Sequence, residues 1–482
     1  MTIFRSAFSR PVAEAVIAVA AVAVLGIPAA AAAGTPVPGA GVTGPGRGTL
    51  TGVWRTDGYG MIIVVTGRQG LVYQTTSGSC LYVQQAARIG KPGRGGVQRF
   101  GVHGVTTTLA WPVGHGQGWI HPLGSAGNIG MQRIGALPGR CTRPAPRGPV
   151  TSFLIFARTF AENYPFFASQ HVGWRAVVAR YQAQVGPRTS PGELYRVLVD
   201  MVRPLHNAHT DVISADHKQA FEGLRRHTRP WSAAFCARAQ QVTDQRLGGR
   251  LHTWGHGNIA YATLPGHLGY LRLSAFMAYA GEGSSYQADQ AVLGRALNTV
   301  FTATRVRSLR GLIIDVRCNP GGDDALGLQV ASRLTVRPYL AYSKQARDPA
   351  GRGGFTALQP IMVRPAHAPL FTGPIAMLTS DLTNSAGETF TQAMIGRTPA
   401  PVRIGMATQG VFSDVLNRVL PDGILFGLPN EEFVTPAGTT FDNRGIPPDI
   451  ELPTFTRYQL THHLDPVLAT ARRLLTRHRS PL

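Results

Sequence analysis

The stretch Gly373–Phe390, GPIAMLTSDLTNSAGETF, sets a serine where it could act as a nucleophile. Ile375–Thr379 is an apolar, partly β-branched run that predicts a short buried strand. A polar turn follows over Ser380–Asn384, then Ser385-Ala386-Gly387-Glu388, then Phe390, Ala393 and Met394 at helical spacing. A hydroxyl on the bend between strand and helix lies at a helix N-terminus. There the dipole and the free backbone N–H groups favour developing negative charge. The same residues also spell a capping box, Ser-x-x-Glu before an apolar run, with Ser385 capping the helix and Glu388 reaching back to it. The two roles are compatible, since a capping serine can also be a nucleophile.

A second turn has chemical potential. After the run Gly311–Val316, which predicts a buried strand, comes Arg317-Cys318-Asn319-Pro320-Gly321-Gly322. Pro-Gly-Gly bends the chain sharply and leaves bare amides facing outward, and such amides can hold an oxyanion. Taken alone, it is equally an ordinary turn.

Together these motifs resemble a known family. Asp315-x-Arg317-x-Asn319-Pro320-Gly321-Gly322, then Asn384–Glu388, then Asn443-Arg444-Gly445-Ile446-Pro447-Pro448-Asp449-Ile450 resemble the serine peptidase family of tricorn core proteases and C-terminal processing proteases. Gly269–Leu273 fits that family's first core strand. Phe156–Val212 fits its helical segment, which ends in a Leu-x-x-x-His-Thr motif at Leu205–Thr210. The resemblance spans about Thr151–Pro453 and leaves the N-terminal part outside.

It implies a ClpP/crotonase-like α/β core, peptide-bond hydrolysis on a peptide or partly unfolded protein, and no metal or organic cofactor. The processing proteases use a Ser–Lys dyad with the lysine in a Gly-Lys-Gly setting. Here the corresponding stretch is Ala407-Thr408-Gln409-Gly410-Val411-Phe412-Ser413, which has no lysine and excludes that dyad. The tricorn-like branch takes its base from the His-Thr motif, where His209 matches and His206 is a nearby rival. Its orienting glutamate precedes a Gly-Val-x-Pro-Asp stretch, and that position holds Asp442. The resemblance therefore makes Ser385 the nucleophile, His209 the general base and Asp442 the residue that orients it. The amides of Gly321 or Gly322 and of Ala386 would form the oxyanion hole. Asp449 reads as structural, closing the turn after Pro447-Pro448. A substrate-capturing PDZ domain has no room between His209 and Tyr270, because ordinary domains begin at ~50 residues and a PDZ needs more.

The 482 residues are 44% hydrophobic and 15% charged, enough for two or three domains with real cores. Residues 1–33 read as a signal peptide: Arg5 and Arg10, an apolar run Val16–Ile27, and Ala31-Ala32-Ala33 before Gly34. An uncleaved anchor is the alternative, since Ala13–Ala33 approaches the ~20 apolar residues of a membrane span. The expected location is secreted or envelope-associated. Residues 34–48 read as a flexible tether, and 49–143 as an all-β accessory module of short strands between Gly-rich turns. A helical subdomain follows over 151–213. Its third helix is announced by Ser190-Pro191-Gly192-Glu193 and carries the stripe Leu194, Val197, Leu198, Met201. Residues 214–258 read as a basic irregular connector, 259–455 as the α/β core and 456–482 as a C-terminal helix. The fold class expected is thus multidomain α/β.

Export permits disulfides. Cys80 and Cys141 share the β module and are the expected pair. Cys236 and Cys318 are either a second pair or buried thiols. No C-x-x-C motif suggests zinc. The net charge of +22 and sequence pI near 10.9 suit adhesion to a polyanionic cell wall or membrane surface. The basic residues are scattered and mostly arginine, and without a nucleic-acid motif no such partner is expected. Two non-catalytic readings accompany the peptidase: a hydrophobic-ligand carrier on the same core, as in the retinoid-binding modules that resemble this family, and an envelope-binding protein. Oligomeric state is not encoded legibly.

Overall fold

A computed structural model describes residues 49–102 and 105–477. The expected signal peptide and tether lie outside them.

The chain opens as a closed eight-stranded antiparallel barrel: β1 Gly52–Thr56, β2 Met61–Val65, β3 Gln69–Thr76, β4 Ser79–Ile89, β5 Gln98–Val102, β6 Val105–Gly114, β7 Gln117–Pro122 and β8 Ile129–Ile134. Each strand pairs with the next, and β1 returns to β8 in the register Val53↔Ile134 to Thr56↔Met131. Closure removes the exposed edges that so many short strands would otherwise present. Met61, Val65, Val72, Phe100, Ile120, Ile129 and Met131 are buried, and a disulfide joins Cys80 on β4 to Cys141 past β8.

Three helices follow: α1 Pro149–Asn163, α2 Trp174–Gln182 and α3 Pro191–Val202. Ser190 and Glu193 close the capping box of α3, with Ser190 N–H donating to Glu193 Oε2 at 2.8 Å. The helices do not form a core of their own. Phe153, Phe156 and Phe160 of α1 join one continuous apolar cluster with the barrel, and Phe156 packs on Phe426 with ring centroids 4.8 Å apart. After α3, Pro204 converts the helix to a short 3₁₀ turn, and the loop carrying His209 leads to β9 Asp211–Ile213 and β10 Ala220–Glu222.

The stretch expected to be an irregular connector contains a full helix, α4 Ala233–Leu247, and a strand, β11 His252–Trp254. Ser232 caps α4 and Gly248 ends it at φ 65°. The helix buries only Cys236, Ala239, Val242, Thr243 and Leu247, so its apolar stripe is too thin and too small to read from sequence.

The core begins with β12 Ile259–Leu264 and β13 Leu268–Leu273, then α5 Tyr286–Val300, α6 Ala303–Ser308, β14 Gly311–Asp315 and α7 Asp324–Ala331. A hairpin follows, β15 Tyr339–Ala346 and β16 Gln359–Val363, then β17 Ile375–Thr379, α8 Ala386–Ile395 and β18 Val402–Gly405. Last come β19 Arg418–Val419, β20 Leu425–Gly427, β21 Glu431–Val434, β22 Ile450–Glu451, α9 Arg457–Thr461 and α10 Pro466–Arg477. Seven strands form one sheet in the order β11-β12-β13-β14-β17-β18-β22, parallel from β13 onward. Its central strands are buried on both faces, as a parallel sheet between helices must be. Leu312, Ile314, Ile375 and Met377 face the cluster built with α5, α7 and α8, while Ile313, Ala376 and Leu378 face α10. Arg317, 1% exposed, is held by Asp315 and by Asp465 at the start of α10, at 2.7 and 2.9 Å. The Asp-x-Arg of the motif therefore clamps the C-terminus rather than doing chemistry.

Two smaller sheets, β16-β15-β21 and β10-β9-β20-β19, tie the returning chain to the hairpin and to the helical region.

Candidate active site

β14 and β17 are parallel neighbours, so their C-terminal ends deliver the Pro-Gly-Gly turn and the serine turn to the same edge of the sheet. Asn319 locks the two together. Its side chain donates to Leu273 O at 2.9 Å and accepts Gly321 N–H at 2.8 Å, while its carbonyl accepts Asn384 N–H at 2.9 Å. A Cβ placed on Gly321 would lie 2.6 Å from Ser385 Cβ and 3.0 Å from Ser385 Oγ, so only glycine lets the turn approach the serine this closely.

Ser385 sits at φ 50°, ψ −122°, a region that side-chain-bearing residues avoid. This is the geometry of a nucleophile elbow, a strained strand-to-helix bend that holds a hydroxyl out of the helix. Ser385 and Glu388 form the capping box of α8 that their spacing predicts. In it Ser385 N–H donates to Glu388 Oε2 at 3.3 Å. Glu388 also accepts Gly410 N–H at 2.6 Å and Val411 N–H at 2.8 Å, pinning the segment 410–414 beside the elbow.

With Gly321 N–H committed to Asn319, the amides of Gly322 and Ala386 have no hydrogen-bond acceptor among the described residues. Gly322 is at φ 127°, and its backbone passes so close to Phe276 that a Cβ would fall 2.2 Å from the Phe276 carbonyl oxygen.

The other residues singled out by sequence meet at the segment 410–414. Ser385 N–H donates to Val411 O at 3.1 Å. Asp442 accepts Phe412 N–H at 3.3 Å and the Thr440 hydroxyl at 2.6 Å. His209, 7% exposed, lies by the Ser413 carbonyl and feels the charge of Asp414 without a hydrogen bond to it. Its Nδ1 has no hydrogen-bond partner among the described residues. The loop that carries it is braced by Asn207, which accepts His209 N–H at 2.9 Å and donates to Asn443 at 3.2 Å. His206, the rival, lies by Leu224 and Arg226 instead. No hydrogen bond joins His209 to Asp442 or to Ser385 among the described residues, and both Asp442 oxygens are already engaged.

Burial pushes the His209 imidazole down to about 4, while the Ser413 carbonyl and Asp414 pull it the other way. It is therefore neutral, and able to accept a proton, across the physiological range. Burial pushes the Asp442 carboxyl up to about 7, against the bonds from Thr440 and Phe412. Sequence reasoning missed Asp414, Lys344 and Glu431. Lys344 lies in β15 with its Nζ 2.9 Å from Asp414 and 3.0 Å from Glu431. Burial opposes its charge, but Asp414, Glu431 and Asp324 more than offset this and keep it protonated, so it cannot replace the missing dyad lysine as a base. No group of three or more metal-ligating side chains gathers among the described residues.

Residues 267–452 match peptidase family S41. No curated protein matches the chain. Among solved structures it is similar to a candidate peptidase from Parabacteroides merdae, at 23% identity and TM-score 0.56 over 68% of this chain and 97% of that one. It is also similar to mature CPAF, at 12% identity and TM-score 0.49 over 70% and 99%, and to the tricorn protease, at 14% and 0.43 over 86% and 46%. The matched segment, with its motifs in order, is thus similar to peptidase family S41, and an N-terminal all-β barrel precedes it.

Proposed function

We propose that this protein is an exported serine endopeptidase that uses Ser385 as nucleophile and His209 as general base. The observation that carries the reading is the elbow: a strained serine at a helix N-terminus, in contact with Gly321 and flanked by the unpaired amides of Gly322 and Ala386. Ser385 Oγ attacks the scissile carbonyl carbon as its proton passes to His209. The carbonyl oxygen becomes an oxyanion, held by the Gly322 and Ala386 amides. Loss of one such donor typically costs ~3 kcal/mol in the barrier. His209 returns the proton to the leaving amine, and a water attacks the acyl-enzyme by the same route. The family resemblance gives Asp442 the part of orienting His209.

The basic surface supports adhesion to a cell wall or anionic membrane near an unfolded protein substrate. The test is labelling of the full chain with a fluorophosphonate probe, beside Ser385→Ala and His209→Ala. Labelling lost in both variants is expected. A folded wild type that does not label would sink the peptidase and favour the hydrophobic-ligand reading.

A further inference from the structure

The interior of the N-terminal barrel is not filled. Ile63, Val72, Phe100, Ile120, Ile129 and Met131 face into it, and Thr108 is the one polar side chain of the described lining. Eight strands leave an interior that side chains can just close, or that can hold one small ligand. Here Gly70, Ala86 and Ala110 occupy inward positions where larger residues would close it. A Cβ on Gly70 would meet only the Phe100 ring, at 3.6 Å, an ordinary contact, and its backbone is one that any residue adopts. Packing does not demand glycine there. A cavity of about 50 Å³ remains. One water-sized group needs ~10–15 Å³ of such space, so a slim chain of several groups fits.

One end of the barrel is closed by the rest of the molecule. The Tyr59 hydroxyl, after β1, donates to Glu431. Ser77 N–H, after β3, donates to Glu162 of α1 at 2.9 Å. After β7, Ser125 Oγ donates to Asp414 Oδ2 at 2.6 Å, and Asn128 exchanges two hydrogen bonds with Gln359, at 2.9 and 2.6 Å. Antiparallel alternation therefore puts the turns 66–68 and 90–97 at the opposite end. The cavity reaches that end, because Val65 and Gly70 pair on the last rung before the first of these turns and both line it.

This mouth is cationic. From Gly52 to Ile134 the barrel carries seven lysines and arginines and one acid, Asp57, which lies at the closed end. Arg68, Arg88, Lys91, Arg94 and Arg99 stand on the two turns or on the strand ends beside them. None of the five has a carboxylate partner among the described residues. Arg133 follows Met131 at the two-residue spacing that keeps a side chain on the same face, so it points inward nearer the mouth. Its guanidinium lies 4.4 Å from the Trp54 ring centroid and donates to the Thr49 and Thr51 carbonyls, both at 2.6 Å, without a counter-ion.

We propose that the barrel binds a single-chain anionic amphiphile of the fatty-acid class, with its alkyl tail in the cavity and its acid group among Arg133 and the rim cations. An apolar recess with a few polar groups at its mouth is the usual form of a small-molecule site. The lining runs along β2 from Met61 to Val65, about 13 Å by the rise of a strand, which suits a chain of decanoate length. The site lies in the barrel and not in the α/β core, so the inference is independent of the serine-peptidase reading. The same chemistry is available from a free fatty acid or from an acyl chain of an anionic lipid in a bilayer.

The test is calorimetric titration of the full chain with decanoate, with decanol and with phosphatidylglycerol vesicles, for wild type, Gly70→Leu and Arg133→Gln. Wild type should bind decanoate saturably, and decanol a few-fold more weakly. Gly70→Leu fills the cavity. It should melt near wild type and bind decanoate roughly tenfold or more weakly, the effect of uncovering about two methylenes. Arg133→Gln should bring decanoate down toward the affinity of decanol and leave decanol unchanged, and it decides the matter if Gly70→Leu fails to fold. Decanoate bound equally by wild type and Gly70→Leu, or no better than decanol, would overturn the proposal. So would a wild type that binds vesicles but not decanoate, since the basic rim alone then explains adhesion. If decanoate binding is lost in Gly70→Leu, the proposal stands, and the vesicle arm names the source. Vesicle binding that falls with it points to a bilayer lipid, and vesicle binding that does not points to the free acid.

Discussion

Ser385 should be a site where function is held at the expense of stability, and two substitutions separate the terms. Ser385→Ala and Ser385→Gly both remove the hydroxyl, and both should abolish fluorophosphonate labelling. They differ in the backbone. At φ 50°, ψ −122° a residue with a Cβ is strained by about 1–3 kcal/mol, and alanine keeps that strain. Glycine relieves it but brings a more flexible unfolded chain, which costs about 0.5–1 kcal/mol. Ser385 is only half-buried, so losing its Cβ sacrifices little packing. The net expectation is that Ser385→Gly is more stable than Ser385→Ala by about 1 kcal/mol. For a cooperative unit the size of this core that is a Tm difference of about 2–4 °C. Thermal unfolding of the two variants at matched concentration and pH would show it. If the glycine variant melted at or below the alanine variant, the serine would not be strained, and the elbow would lose its main physical support.

Gly322→Ala should fold poorly or label some hundredfold more slowly, because the new Cβ meets the Phe276 carbonyl and the displaced amide leaves the oxyanion; measured labelling rates at matched folded fraction would decide. Labelling by wild type should hold through neutral and mildly acidic pH and fall as pH drops through about 4, where His209 becomes charged. Stability should follow the same sign. A histidine whose folded value lies below its unfolded ~6.5 contributes fully above that pH and loses its contribution as pH falls through about 4, which melts across that range would reveal. Breaking the Cys236–Cys318 bond, which closes a sequence separation of 82, should cost up to about 4.5 kcal/mol by chain entropy. Because Cys318 adjoins Asn319, the double Cys→Ser variant should also label more slowly. A variant unchanged in both melting and labelling would refute that coupling.

The parts of the site legible in the sequence are those that local chain geometry encodes. Strand, polar turn, Ser385 and helix α8 lie within one short stretch. Gly321 and Gly322 announce a bend that nothing else can make. Longer elements were legible only in kind. Residues 286–308 form two helices, because Phe301 leaves the first to enter the core and Thr302 caps the second. The connector helix α4 was hidden by its small buried face, although Ser232 and Gly248 mark its ends. The buried cluster around Asp414 was out of reach for a different reason. Lys344 and Ser125 meet Asp414 from 70 and 289 residues away, and no periodicity records such a meeting.

The span of these contacts also sets a clock. Tyr59 and Glu431, whose bond helps seat the barrel on the core, are separated by 372 residues, and Arg317 waits for Asp465. At ordinary synthesis rates roughly 20–75 s pass between the first and second of the former pair leaving the ribosome. Through that interval the barrel can pack on α1, but the contact that joins it to β21 is not yet available. The nucleophile and its oxyanion turn come in the last third of the chain, and the clamp that holds their sheet comes later still. The bonds that fasten the barrel to the core and the C-terminal helix to its sheet are therefore completed only after most of the chain has been made.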